Sequence, residues 1–364
     1  MWTQFQAAWE LPSAVVLGFL MLLAGIAHLY RASKSPSSPH KDWDQDRPGK
    51  PDETIIQPLK DFDWIVEEPQ KFRPFKPVYH ISMGLQSDTP SGLITIDKDY
   101  LDRVNLRRGL IRQHGDKVHG YMPAGAEGVR ELYAFLMGSY LPTRFPTIFQ
   151  LSSDKGQIRN VATGRTHPTA ATADPAAALR AIGETVEEDM FLLHDTPEGH
   201  KSVAFVCCFA AGFDPSTKLG KGLKQIHGPV PSFDKIGPSM ERFFARLQVG
   251  KNVKRLNWVV QTHGELLVCD SHATHNAGKG HGEIDFGQTF LRVELQTLSR
   301  LPQTRAVLFS FKTYMYPIRQ IKDEGLGSDL AAAVEGMKEG NAPGMWLYKG
   351  GELWAETVCE YLRA

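Results

Sequence analysis

At 364 residues, with 42% hydrophobic and 23% charged side chains, the chain can bury a sizeable core and reads as globular. Its formal net charge of zero excludes the global basic field of a general nucleic-acid binder. Four cysteines, with Cys207 and Cys208 adjacent and no CxxC spacing, exclude a disulfide scaffold, argue against zinc and point to reduced thiols in a cytosol-like compartment.

A short tail, residues 1–10, precedes an apolar run at 11–30 that lacks Asp, Glu, Lys and Arg. A helix of that length, rising about 1.5 Å per residue, spans the ~30 Å of bilayer hydrocarbon. Trp9 and Tyr30 sit where interface aromatics belong. Arg31, Lys34 and Lys41 follow the run and Glu10 precedes it. The expectation is a single-pass membrane protein with its folded part facing the cytosol. A cleaved signal peptide is the first alternative, and it wants basic residues ahead of a shorter apolar core. A buried core helix is the second, and polar flanks weigh against it. Residues 31–61, rich in Ser, Pro, Lys and Asp, read as a flexible linker. The folded domain is expected from 62 to 364.

Prolines at 69, 74 and 77 mark an extended arm that leads into Tyr79-His80-Ile81-Ser82. Asp97 reads as the N-cap of a helix that carries Leu101, Val104 and Ile111 and ends at Gly115. Val129, Leu132, Tyr133, Leu136, Met137 and Tyr140 follow the spacing of a buried helical face, which Leu141-Pro142 is expected to stop. Residues 147–173 read as loop. Asp174-Pro175 starts a third helix, and 203–209 reads as a buried strand. After His227, in the stiff sequence Ile226-His227-Gly228-Pro229-Val230-Pro231, comes a helix with Met240, Phe243, Phe244 and Leu247 on one face.

Three strands follow, at 253–260, 289–297 and 305–316. Arg255 and Asn257 share one face of the first; Arg292, Glu294 and Gln296 share one face of the second. A Gly- and His-rich excursion, His272 to Gly282, lies between them. Helices are expected at 329–337 and 352–362. The pattern is α+β.

The polar strand faces read either as one solvated side of a sheet or as the wall of a pocket. The solvated side is the first reading; the next strand, apolar on both faces at several positions, is the point on the side of the pocket. His227 alone reads first as a structural histidine and only second as a ligand. A haem iron needs one neutral imidazole nitrogen on a fixed approach, and that requirement leaves little mark in sequence. The chain lacks GxGxxG opening a strand–helix unit, GxxxxGK[ST], HExxH and GxSxG.

Five motifs stand together in this order. They are Arg73-Pro74-Phe75-Lys76-Pro77 with Tyr79-His80-Ile81-Ser82-Met83-Gly84-Leu85; residues 140–147, Tyr-Leu-Pro-Thr-Arg-Phe-Pro-Thr; Val186-Glu187-Glu188-Asp189; residues 226–231 with Arg255-Leu256-Asn257-Trp258; and residues 291–298 with Arg300-Leu301-Pro302. The set resembles the haem-dependent oxidative N-demethylase family from about residue 62 onward, most closely its fungal, membrane-anchored members. The resemblance implies a PAS-like antiparallel sheet with extensive flanking helices. It implies haem b, dioxygen and NADPH-derived electrons, delivered directly or through a reductase, and removal of a methyl group from a small amine. By motif it implies His227 as the proximal haem ligand and Arg255 and Glu294 as a polar catalytic pair. Arg292, Gln296 and Tyr314 neighbour that pair without a clear motif role. The alternative is a membrane-anchored, PAS-like haem or ligand sensor without turnover; a scaffold without cofactor is the third reading.

Overall fold

The computed structural model describes residues 56–73, 75–270 and 284–364. The expected transmembrane helix at 11–30, most of the linker and the His272 to Gly282 excursion lie outside the described residues. Among the described residues no helix is long and apolar enough to cross a membrane.

Ten strands are described: β1 (Gln86–Asp88), β2 (His119–Tyr121), β3 (Phe149–Leu151), β4 (Gln157–Asn160), β5 (Arg165–Pro168), β6 (Asp189–Thr196), β7 (Gly199–Val206), β8 (Asn252–Gln261), β9 (Phe290–Arg300) and β10 (Val307–Pro317). Seven form one sheet in the order β1-β8-β9-β10-β6-β7-β2, with every neighbouring pair antiparallel. The helices that cover it are α1 (Tyr100–His114), α2 (Ala126–Phe135), α3 (Pro175–Gly183), α4 (Leu223–Ile226), α5 (Gly237–Arg246), α6 (Gly327–Glu335), α7 (Met345–Tyr348) and α8 (Gly351–Arg363). The fold is therefore α+β, as the sequence pattern predicts.

Both faces of the sheet are buried, which is why β10 is apolar on both sides. On one face Met190, Leu192, Ala204 and Leu308 meet Val104, Val129, Leu132 and Ile182 of α1–α3. On the same face Leu291, Val293, Leu295 and Tyr314 meet Leu330 and Val334 of α6 and Trp354 and Val358 of α8. On the opposite face Leu193, Leu298 and Val307 pack under Leu223 of α4, Phe233, and Met240 and Phe244 of α5. A ten-residue helix such as α5 is marginal alone. Burying Met240 and Phe244, at roughly 1.5–3 kcal/mol each, is what holds it to the sheet.

Three local expectations fail for identifiable reasons. Residues 149–168 form a second sheet, β3-β4-β5, with strands too short to show alternation. Asp97 does not cap α1, which begins at Tyr100. Its carboxylate turns inward to Lys312 Nζ, at 2.7 Å. Leu141-Pro142 does not stop the helix after α2. A π turn over Leu136–Tyr140 shifts the hydrogen-bond register just before the proline, and helix resumes over Leu141–Arg144. Asp174 does cap α3, accepting the backbone N–H groups of Ala176 and Ala177 at 2.9 and 3.1 Å.

The Val186–Asp189 motif turns out to be a buried charge anchor. Lys312 Nζ lies 2.8 Å from Glu187 Oε1 and 2.9 Å from the Thr95 carbonyl. Glu188 Oε1 accepts the Thr95 N–H at 2.8 Å. Asp189 pairs with the fully buried Arg107 and accepts the N–H groups of Cys208 and Phe209. These bonds tie α1 and the chain before it to the first residues of β6.

Candidate functional site

His227 is positioned by one turn of helix and a rigid exit. The Gly222 N–H donates to Gln225 Oε1 at 3.0 Å and starts α4. The backbone N–H of Val230 then closes on the His227 carbonyl at 2.8 Å, so the segment with Pro229 and Pro231 folds back on the helix. The imidazole Nδ1 lies 2.8 Å from the Leu223 carbonyl. A carbonyl only accepts, so Nδ1 carries the proton and Nε2 keeps its lone pair. The ring stacks on Phe233 with centroids 4.5 Å apart and planes 4° from parallel. Burial pushes the His227 pKa below its ordinary value. The Leu223 hydrogen bond opposes this and Lys218 and Arg255 reinforce it, so the net shift favours the neutral imidazole.

The sheet face that receives α4 carries four phenylalanines on neighbouring strands. Phe191 stacks on Phe205 and on Phe311 at 5.7 and 6.5 Å, and Phe309 lies 5.7 Å from Phe311. This aromatic floor went unread in the sequence, because it joins β6, β7 and β10, which are far apart along the chain.

Arg255, Asn257, Glu294 and Gln296 lie on that same face, and antiparallel register brings them together. Arg255 stands opposite Gln296, and Asn257 opposite Glu294. Glu294 is 7% exposed, which excludes the solvated-face reading. Its Oε2 accepts Gln296 Nε2 at 2.9 Å and Asn257 Nδ2 at 3.2 Å. Two amide donors thus fix one carboxylate oxygen and leave Oε1 for another partner. The Arg255 guanidinium makes no hydrogen bond or ion pair among the described residues, and its Nε is buried. It is near enough to His227 and Glu294 to act on both electrostatically.

Lys349, which follows α7, completes the group. Its ammonium donates to the Trp258 carbonyl and to Asn257 Oδ1 at 3.3 Å. That bond orients the Asn257 amide, sending its NH2 toward Glu294. The ammonium also lies 5.0 Å from the Trp258 ring centroid. Burial pushes the Lys349 pKa down to about 8, with Glu294 opposing and Arg255 reinforcing the shift. A cavity of about 40 Å³ opens between Glu294, Lys349, Asn257 and Trp258. It exceeds the ~10–15 Å³ one water needs.

The other candidates separate. Arg292 is fully buried and clamps backbone, donating to the Phe209 carbonyl and, at 3.1 Å, to the Leu266 carbonyl. Tyr314 is one residue out of phase with the site. It faces the opposite side of the sheet and packs against Phe72 at 5.3 Å. His263 is held in a local turn with Gln261 and Glu265, while His272, His275 and His281 lie outside the described residues. No group of three or more His, Cys, Asp or Glu among the described residues forms a metal-binding cluster.

The donor set fits a haem. A neutral imidazole with its outer nitrogen fixed by a carbonyl is the state an axial ligand requires, and an aromatic floor suits a flat apolar macrocycle. Glu294, Asn257 and Gln296 lie on the same sheet face as that floor, with Lys349 bonded to Asn257. A family model described as haem-dependent oxidative N-demethylase, alpha subunit-like, matches residues 84–359. The chain belongs to this family, and membership implies an oxidoreductase of the haem-dependent N-demethylase type.

Proposed function

We propose that the chain holds haem b on His227 and removes an N-methyl group oxidatively from a small amine. The observation that carries this reading is the His227 geometry: Nδ1–H on the Leu223 carbonyl, the ring on Phe233, and Nε2 left as the donor. The sheet with its covering helices supports a PAS-like description.

Haem bound there supplies dioxygen activation. Overall, dioxygen, two electrons and two protons convert the N-methyl group to a carbinolamine and one water. The C–N bond then breaks to give formaldehyde and the demethylated amine. Glu294 Oε1 holds the cationic amine through a charge-assisted hydrogen bond. After oxidation the same oxygen takes the carbinolamine hydroxyl proton as the C–N bond breaks, and the amine nitrogen is protonated in turn. Asn257 and Gln296 keep the carboxylate aimed, and Lys349 keeps Asn257 aimed. Arg255 takes an anionic group of the NADPH-derived electron donor, whether the nucleotide itself or a reductase.

The test is NADPH-linked oxygen uptake with formaldehyde release from N-methyl amines, in haem-supplemented protein. Haem binding without turnover would favour the sensor reading. Residues 11–30 are proposed as a membrane anchor of the fungal type, with the folded part in the cytosol. Recovery in the soluble fraction after expression with membranes present would overturn that.

A further inference from the structure

The small cavity beside Glu294 carries an imbalance of charge. Three charged side chains line it: Glu294, Arg292 and Lys349. All three are buried. Arg292 donates to the Phe209 and Leu266 carbonyls and to Gln261 Oε1, and its Nε makes no hydrogen bond. Lys349 donates to the Trp258 carbonyl and to Asn257 Oδ1. Both cations therefore rest on neutral acceptors, an expensive state for a buried charge. Burial pushes both pKa values down, and in each case Glu294 is the largest charge opposing the shift.

The ammonium and the carboxylate sit at the two ends of one amide. Lys349 Nζ donates to Asn257 Oδ1 at 3.3 Å, and Asn257 Nδ2 donates to Glu294 Oε2 at 3.2 Å. The amide holds the two charges on one cavity without letting them pair with each other. The third ammonium hydrogen of Lys349 has no acceptor among the described residues. On β10, Thr313 stands opposite Glu294, and its buried hydroxyl also makes no hydrogen bond. A simple cationic amine bound here adds a third positive charge around one carboxylate. A zwitterion adds no net charge and brings the anion that Lys349 lacks. The cavity, about 40 Å³, holds roughly three waters at ~10–15 Å³ each, which suits a compact molecule.

We propose that the substrate of this site is a small N-methyl amino acid, a zwitterion with its ammonium on Glu294 and its carboxylate on Lys349. The proposal rests on the N-demethylase reading for turnover and deepens it by naming the substrate class; the charge pattern stands without that reading. Lys349 then binds substrate as well as orienting Asn257, and the products are formaldehyde and the amino acid with one methyl group fewer.

Calorimetric titration of the haem-supplemented full chain with N-methylglycine, N-methylglycine methyl ester, dimethylamine and acetate tests it, with formaldehyde release measured for the three amines. The ester keeps the amine and loses the negative charge. N-methylglycine is expected to bind at least about tenfold more tightly than each of the others. In Lys349→Met, with circular dichroism unchanged, the ratio of N-methylglycine to dimethylamine affinity is expected to fall about tenfold. Absence of N-methylglycine binding overturns the proposal, as does binding of the ester, dimethylamine or acetate as tightly as N-methylglycine. A ratio undiminished in folded Lys349→Met overturns it too, and the ester comparison decides the matter if that variant does not fold. Formaldehyde from dimethylamine but not from N-methylglycine rejects this substrate class alone. Preferential N-methylglycine binding with no formaldehyde from any amine rejects the N-demethylase reading alone.

Discussion

Glu294 shows how three polar side chains fix the orientation of one strand carboxylate. Asn257 and Gln296 hold its Oε2, and Lys349 holds Asn257. Glu294→Gln keeps the size and loses the charge, so turnover should fall about 10²–10⁴-fold while the haem spectrum is unchanged. Stopped formaldehyde assays with a parallel spectrum check this. Lys349 has a pH signature of its own. Its folded pKa, about 8, lies below the ~10.4 of an unfolded lysine. Its contribution to stability is therefore full above about pH 10.4 and lost as pH falls through about 8. Lys349→Met should gain melting temperature relative to wild type near pH ~7 and lose that advantage near pH ~10. Alternation showed that Arg255 and Asn257 share one strand face and Glu294 and Gln296 another, while the pairing of Arg255 with Glu294 came from the family resemblance. Lys349 was not legible, because a lysine in the turn between α7 and α8 carries no periodic signal and meets β8 only through the fold.

Among the elements, β8 and β9 were readable from alternation of polar and apolar side chains, and β10 from a long apolar run rich in strand formers. The strands β3, β4 and β5, three or four residues each, were not. The start of β6 was read as a motif without a role, and its role is to seat charges. Asp97 and Glu187 converge on Lys312 in a buried cluster beside Glu188. Burial, with Glu187 adding to it and Lys312 opposing, pushes the Glu188 pKa up to about 7. An unfolded glutamate titrates near ~4.3. The stability contributed by neutral Glu188 is therefore full below about pH 4.3 and lost as pH rises through about 7. Glu188→Gln fixes the neutral form. Thermal melts should show it stabilising relative to wild type at pH ~8.5 and losing that advantage at pH ~5.

At the scale of the whole molecule, the strand order β1-β8-β9-β10-β6-β7-β2 decides what meets what. Alternation predicts a sheet with flanking helices, but not that β6 and β7 follow β10, which is what builds the phenylalanine floor. Residues 56–73, ahead of β1, belong to the same body as the sheet. Leu59 N–H bonds the Arg144 carbonyl at 2.8 Å, Phe62 packs on Phe145 at 5.3 Å and Trp64 on Tyr100 at 6.0 Å. A chain shortened to begin at residue 51 keeps these contacts and serves as the reference. One beginning at residue 66 loses Ile56, Leu59, Phe62 and Trp64, four side chains packed against the core, and should melt lower by more than about 5 °C.

The most direct test of the central claim is the absorption spectrum of the full chain after haem supplementation, wild type against His227→Ala. The neutral imidazole held by Leu223 and Phe233 predicts a Soret band in the wild type that is lost or shifted in the variant, with circular dichroism unchanged. A Soret band that persists unaltered in His227→Ala would contradict the assignment of His227 as the haem ligand.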